Sequence, residues 1–371
     1  MNIIERLQID LDRSKSESTY RKLGVISDNI DFSSNDYLGL ARNERLVNRV
    51  KWQFEKTVTK ELGSGGSRLL SGNYQELEEL ETSLAKVHGN ESALVFNSGY
   101  VANLAVFSSI PKKTDTILYD DLIHACIKEG ARLSYAKHQS FRHNDLKDLK
   151  RKILLAEGSV FVVVESIYSM DGDFAPLMAL TILCKETGSK LIVDEAHSTG
   201  IYGKNGAGLV SYLGLDKEVF IKIHTFGKGI GAHGAVVVSS LLIKEYLINF
   251  SRPFIYTTSI PPHSAVSILE AYKFIREFNF LQEELMGKIF LFSQTILYSS
   301  SPNNSPIQSI IINGNENVKA GAKKLQDKGF DVRAVLSPTV KKGTERLRVC
   351  IHNHNSESEI IGLANAINDL F

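Results

Sequence analysis

Short β-rich runs alternate with amphipathic or helix-favouring stretches through the middle of the chain. The runs at residues 93–97, 116–119, 159–165, 190–194, 219–225 and 235–239 read as strands. Stretches 74–88, 100–108, 123–133, 144–155 and 176–187 fit helices between them. This alternation predicts an α/β domain with a mostly parallel sheet, whose ligand sites lie at the carboxyl ends of the strands. After the Ser-Ile-Pro-Pro turn at 259–262 the pattern changes. A long helical stretch from 263 to about 295 leads into a strand at 307–312 and a helix near 317–328. Strands near 332–336 and 347–351 and a last helix from Ser356 follow. The expected organisation is an N-terminal segment of a smaller domain (1–45), a large domain (46–258), and a smaller α+β domain with a linking helix (259–371).

Composition changes this picture little. The chain has 371 residues, 43% hydrophobic and 23% charged, the usage of an ordinary globular protein. Forty-three Lys and Arg against 42 Asp and Glu leave a net charge of +1, far from the basic stripe of a nucleic-acid binder. Three widely spaced cysteines, Cys126, Cys184 and Cys350, suit neither a disulfide framework nor a zinc site, and point to a reducing, cytoplasmic setting. Residues 1–13 mix charged and polar residues with short apolar pairs, unlike a signal peptide. The longest uncharged stretch, 289–315, is broken by Ser, Asn and Pro, so no membrane span is expected.

Two motifs mislead when read alone. Gly229, Gly231 and Gly234 spell GxGxxG, but a dinucleotide fingerprint opens a helix, and here Ala235-Val-Val-Val follows at once. His352 and His354 could meet a metal from one strand face, yet without a nearby Cys they read better as a solvated strand end, and no metal is expected.

The unusual residues gather after the strands. Lys228 stands between two glycines in Thr225-Phe-Gly-Lys-Gly, a loop able to bring a lysine amine onto a bound carbonyl. Asp194 ends an apolar strand and precedes His197; a carboxylate there needs a cation or several donors. Ser98, Gly99 and Tyr100 follow a strand and open a helix, where free N–H groups make a phosphate site. His124 and Ser169 also come just after strands, His124 able to offer a flat imidazole face. Each has an ordinary local reading as a cap, turn or surface group. Together they offer a phosphate cradle, a stacking group, a carboxylate for a ring nitrogen and an amine for an aldehyde, the four needs of pyridoxal 5′-phosphate.

On these motifs, and on Ser34-Asn-Asp-Tyr-Leu-Gly-Leu, Gly63-Ser-Gly-Gly-Ser-Arg-Leu-Leu-Ser-Gly, Ser166-Ile-Tyr-Ser-Met-Asp-Gly-Asp and Gly343-Thr-Glu-Arg-Leu-Arg, the chain resembles the α-oxoamine synthases from about Asp31 to Ile351. These are fold-type I pyridoxal-phosphate enzymes that join an amino acid to an acyl thioester with loss of carbon dioxide. The resemblance implies a Schiff base on Lys228, which later moves the Cα proton, and a pairing of Asp194 with the ring nitrogen. It implies His124 stacked on the ring, Ser169 and His197 near its phenolic oxygen, and Ser98, Gly99, Tyr100 and Thr225 near the phosphate. Thr257 and Thr258 match a segment that reaches the phosphate from a second subunit, implying a homodimer. Arg348 and Asn35 would hold the amino-acid carboxylate. The Gly-Ser-Gly-Gly-Ser run and Phe254-Ile-Tyr-Thr-Thr point to the biotin-pathway branch, which implies L-alanine and a pimeloyl thioester, on CoA or a carrier protein; the alternatives are another α-oxoamine synthase activity, such as that of 2-amino-3-ketobutyrate CoA ligase or serine palmitoyltransferase, and an aminotransferase or carbon–sulfur lyase. The far carboxylate of that acyl chain needs a cation or water, and Arg21 and Lys22 are the candidates. The chain departs from the family at Leu77, where many relatives carry a His.

Overall fold

The computed structural model describes residues 1–24 and 28–371 and divides the chain into two units. One comprises Asn35–Ser169 and Phe174–Glu283, the other Met1–Ser34, Met170–Asp173 and Glu284–Phe371.

The first of these is built on seven strands: β1 (Ser92–Phe96), β2 (Thr116–Asp120), β3 (Lys137–Phe141), β4 (Val160–Glu165), β5 (Lys190–Asp194), β6 (Ile221–Thr225) and β7 (Ala235–Ser239). They form one sheet in the order β1-β7-β6-β5-β4-β2-β3. Strands β6, β5, β4, β2 and β3 are parallel, while β7 is antiparallel to both β1 and β6. Two reversals bring β1 back into the direction of β6. The residues that follow β1, β2, β4, β5 and β6 therefore emerge at one edge of the sheet, as expected for a ligand-binding α/β fold.

The strands are Val-, Ile- and Leu-rich because helices cover both faces. Ala102, Ala105 and Val106 of helix Gly99–Ser109 and Ile127 and Ala131 of helix Ala125–Leu133 share a core cluster with Val163, Ile192, Ile223 and Val237. The other side-chain row of β6 carries Lys222 and His224, both fully buried. The Lys222 ammonium meets the His88 carbonyl and the Asp216 carboxylate, which offsets its desolvation. His88 stacks on His224 at 3.7 Å, and burial pushes His88 down to about 3.

The six strands read for the large domain all form, while β3 and helices Ile3–Ser16, Glu44–Phe54 and Leu241–Phe250 were not read and one helical stretch divides. Strand β3 went unread because Lys137-His-Gln-Ser-Phe is polar: it is an edge strand, exposed through its first three residues. The long stretch from 263 is two helices, Pro262–Glu277 and Phe280–Thr295, separated at Phe278, where φ −111° and ψ 57° leave helical geometry. Helix Pro262–Glu277, which the sequence reading places with the C-terminal part, packs against helices Glu44–Phe54 and Gln75–Val87. The GxGxxG run does lead straight into β7. Gly231 adopts φ +65°, and a Cβ there would collide with the Ala41 backbone, so packing accounts for that glycine.

The second unit holds a three-stranded antiparallel sheet of β8 (Ile307–Ile311), β9 (Arg333–Val335) and β10 (Arg346–Cys350), with β10 in the middle. Helices Asn315–Asp327 and Glu357–Asn368 belong to it. The latter starts at a capping box: Ser356 Oγ accepts from the Glu359 N–H at 3.3 Å and Glu359 accepts from the Ser356 N–H at 2.7 Å. Among the described residues no helix is long and apolar enough to cross a membrane.

Candidate active site

A cavity of about 280 Å³ opens where the strand ends converge. Asn35, Ser98, Gly99, Tyr100, His124, Asp194, Thr225 and Lys228, all singled out from sequence, line it. Asn103, Cys126, Glu165 and His233 line it as well and were not.

Ser98 caps helix Gly99–Ser109, its hydroxyl accepting from the Val101 N–H at 3.3 Å. The first-turn N–H groups have no carbonyl partner within the helix, and the macrodipole makes this end attractive to an anion. Gly99 is required for the approach of β6, because a Cβ there would run into Thr225 Cγ2.

Asp194 is held by two donors: Asn103 Nδ2 reaches Oδ2 at 2.8 Å, and the Ala196 N–H reaches Oδ1 at 2.9 Å. Asn103 also donates to the Gly99 carbonyl at 3.1 Å, tying the carboxylate to the helix that forms the anion site. His124 caps the next helix, and its Nδ1 accepts from the Cys126 N–H at 3.2 Å. Burial holds this imidazole below its ordinary range, partly opposed by the Asp194 charge, so the neutral ring with Nε2–H is favoured.

Lys228 Nζ lies 2.8 Å from His197 Nε2. The His197 tautomer follows from its other neighbour. The Tyr37 hydroxyl donates to Asn35 Oδ1 at 3.1 Å and lies 2.7 Å from His197 Nδ1. With the Tyr37 proton spent on Asn35, Nδ1–H donates to the tyrosine oxygen and Nε2 accepts from the lysine. Ser169 is buried, and its N–H donates to Glu165 Oε2 in the cavity wall at 3.2 Å.

Other sequence-derived residues lie outside the cavity lining. Thr258 bridges to Ser67 in an antiparallel pair, its carbonyl accepting from Asn97 Nδ2 at 2.8 Å, while Thr257 lines a small pocket with Arg68 and Asn97. Arg348 belongs to β10, with Nη1 3.0 Å from Cys350 Sγ. Its neighbour Arg346 is buried and ion-paired with Asp171. Exposed Arg21 reaches Thr339 Oγ1 at 3.3 Å, in a groove of about 670 Å³ with Leu11, Tyr20 and Val335. Leu77 is fully buried. Asp31, His352 and His354 come together, but the two His352 ring nitrogens already face Asn355 Oδ1 at 3.0 Å and the Ser34 carbonyl at 2.9 Å.

The aminotransferase class I and II family model matches residues 27–367. The chain belongs to that family, in its α-oxoamine synthase branch. An 8-amino-7-oxononanoate synthase of Emericella nidulans is 37% identical, covering 98% of this chain and 94% of its own. Among solved structures, the 8-amino-7-oxononanoate synthase of Francisella tularensis is 31% identical with a TM-score of 0.79, covering 92% of this chain and 97% of its own. A high-resolution structure of SPT with PLP in the internal aldimine form is 25% identical with a TM-score of 0.90, covering 100% of this chain and 98% of its own. The fold is that of the fold-type I enzymes, and family members carry pyridoxal phosphate.

The residues present suit that group. The cavity supplies a helix N-terminus capped by Ser98 and backed by a glycine that admits no Cβ, a doubly held carboxylate, a neutral imidazole and a lysine amine. A buried carboxyl oxygen in the wall, Glu165 Oε1, also has no partner among the described residues.

Proposed function

We propose that this chain is a cytoplasmic, pyridoxal-phosphate-dependent acyltransferase that condenses L-alanine with a pimeloyl thioester, releasing the free thiol, carbon dioxide and 8-amino-7-oxononanoate, a step of biotin biosynthesis. The convergence of Lys228, Asp194, His124 and the Ser98–Gly99 helix terminus on one cavity carries the reading, and relatives at 37% identity over nearly the whole chain support its substrates.

Pyridoxal phosphate supplies a protonated ring that takes up the electron pair left at Cα when a proton or carboxylate departs. Ser98, Gly99, Tyr100 and Thr225 bind its phosphate, assisted by Thr257 and Thr258 of a second copy in a homodimer. Asp194, oriented by Asn103 and the Ala196 N–H, presents its carboxylate to the ring nitrogen and keeps that nitrogen protonated. His124, held neutral by burial, would offer its imidazole face to the ring. Ser169 and His197 bond near the phenolic oxygen. Lys228 would hold the cofactor's aldehyde through its amine, and as a free amine would take and return the amino acid's Cα proton. His197 Nε2, fixed as an acceptor by Tyr37, orients that amine. Asn35 and Arg348 hold the amino-acid carboxylate, for which a guanidinium fork is suited, and Arg21 is the cation for the far carboxylate of the acyl chain.

Release of CoA thiol tests this directly when pimeloyl, acetyl, succinyl and palmitoyl thioesters are each offered with alanine, glycine and serine. Pimeloyl thioester with alanine is the expected best pair. Faster turnover of palmitoyl thioester with serine would move the chain to the sphingolipid branch, and thiol release with no pair would reject the acyltransferase reading.

A further inference from the structure

Glu165 and Asp194 are direct cross-strand partners at the ends of β4 and β5. Side chains of paired residues in adjacent strands project to the same face, so two carboxyl groups share the floor of one cavity. Both are buried. Two like charges so placed repel each other, and the low-dielectric surroundings enlarge the repulsion, so one group keeps its proton.

The hydrogen bonds decide which. Asp194 has an N–H donor on each oxygen. Glu165 receives the Ser169 N–H on Oε2 at 3.2 Å, while Oε1 is buried with no partner among the described residues. An oxygen with no donor is a poor seat for negative charge and a good one for a proton. The other titratable groups facing Glu165 are Lys228, whose charge favours the carboxylate, His124, held neutral, and Cys126, whose thiol burial keeps protonated. Burial and the Asp194 charge outweigh Lys228 and the backbone N–H groups of His124 and Ser169, and raise Glu165 to about 8.

We propose that Glu165 is a further residue of this site: a carboxylic acid that keeps its proton at neutral pH, donates it as a hydrogen bond to an oxygen of the bound ligand, and leaves Asp194 the sole anion facing the ring. This rests on the cofactor reading above for the ligand, but not for the proton. Two carboxyls in different environments thus take two roles, the division by which one site can hold an acid and its anion together. Glu165 is a positioning residue with a built-in alkaline limit. Once ionised it loses its donor and places a second charge beside Asp194, opposing the carboxylate of an incoming amino acid.

The test uses the full chain and its Glu165→Gln variant, each with and without pyridoxal phosphate. Burial also raises the Glu195 carboxyl, so the readout is the wild-type minus Glu165→Gln infrared difference at neutral pH, which should show one protonated-carboxyl carbonyl band that fades as pH rises through about 8. No such band in that difference at neutral pH overturns the assignment. Glu165→Gln mimics the protonated acid. Whatever its value at neutral pH, the KM of this variant for the amino acid should stay level where the wild-type KM rises above pH 8. An identical alkaline rise in both proteins overturns the positioning role. The band is read without cofactor, so failure of added pyridoxal phosphate to give a visible absorbance would reject the cofactor reading while leaving the band result standing.

Discussion

Lys228 Nζ and His197 Nε2 are 2.8 Å apart, and the orientation of that contact is set one residue further back by Tyr37, 2.7 Å from His197 Nδ1. The chain Asn35–Tyr37–His197–Lys228 therefore has one consistent donor direction, with every proton assigned by its neighbour. Replacing Tyr37 by Phe leaves a buried imidazole N–H without its acceptor, a cost of about 1–3 kcal/mol. The Tyr37→Phe protein should fold normally by circular dichroism, lose roughly tenfold or more in kcat, and show a displaced pH profile. An unchanged kcat and pH profile would remove Tyr37 from the amine's environment.

Asn103 is predicted to act through Asp194. Its removal deprives a buried carboxylate of a charge-assisted bond, worth about 1.5–3 kcal/mol, or ten- to a hundredfold. Asn103→Ala should weaken pyridoxal-phosphate retention by that factor, measured by equilibrium dialysis. Asp194→Asn should slow exchange of the alanine Cα proton by orders of magnitude, because a neutral amide no longer favours a protonated ring. Near-normal exchange in Asp194→Asn would mean that another group faces the ring nitrogen.

Gly99 offers a test by rescue. A Cβ at this position collides with Thr225 Cγ2 and otherwise meets only Thr225 Cβ, at an ordinary contact distance of 3.6 Å. Gly99→Ala should lower cofactor affinity by displacing the helix terminus, and Gly99→Ala combined with Thr225→Ser, which removes the offending methyl but keeps the hydroxyl, should recover much of it. Failure of the second change to restore binding would indicate that Gly99 matters for some reason other than this contact.

The strand ends were legible because their residues are extreme for their places: a carboxylate closing Leu191-Ile-Val, and a lysine between glycines. The partners that orient them were not. Tyr37 lies 160 positions from His197, and Asn103 lies 91 from Asp194; each sits unremarkably on its own segment, and only the sheet brings the pairs together. Tyr37 did fall within the Ser34-Asn-Asp-Tyr motif, the one signal that could have drawn attention to it. Glu165 was visible as an acid ending an apolar run, just as Asp194 was. Its meaning depends on cross-strand register, which sequence pattern does not supply. Strand β3 escaped for the opposite reason: an exposed edge does not demand apolar residues.

Arg348 and Arg346 are one pleat apart on the same face of β10; Arg346 is ion-paired with Asp171, and Arg348 Nη1 lies 3.0 Å from Cys350 Sγ. Arg348→Ala should raise the KM for the amino acid ten- to a hundredfold, the equivalent of about 1.5–3 kcal/mol, with a much smaller effect on the thioester. Equal effects on both substrates would give Arg348 a structural role instead.

The central claim is that Lys228 is the amine that carries the cofactor, and borohydride reduction of the purified protein reconstituted with pyridoxal phosphate tests it most directly. Reduction makes the attachment permanent, and peptide mapping then reports where it lies. The account predicts the label on the peptide containing Thr225-Phe-Gly-Lys-Gly, at Lys228, and none in Lys228→Ala. A label on any other lysine, or an unchanged label in Lys228→Ala, would contradict it.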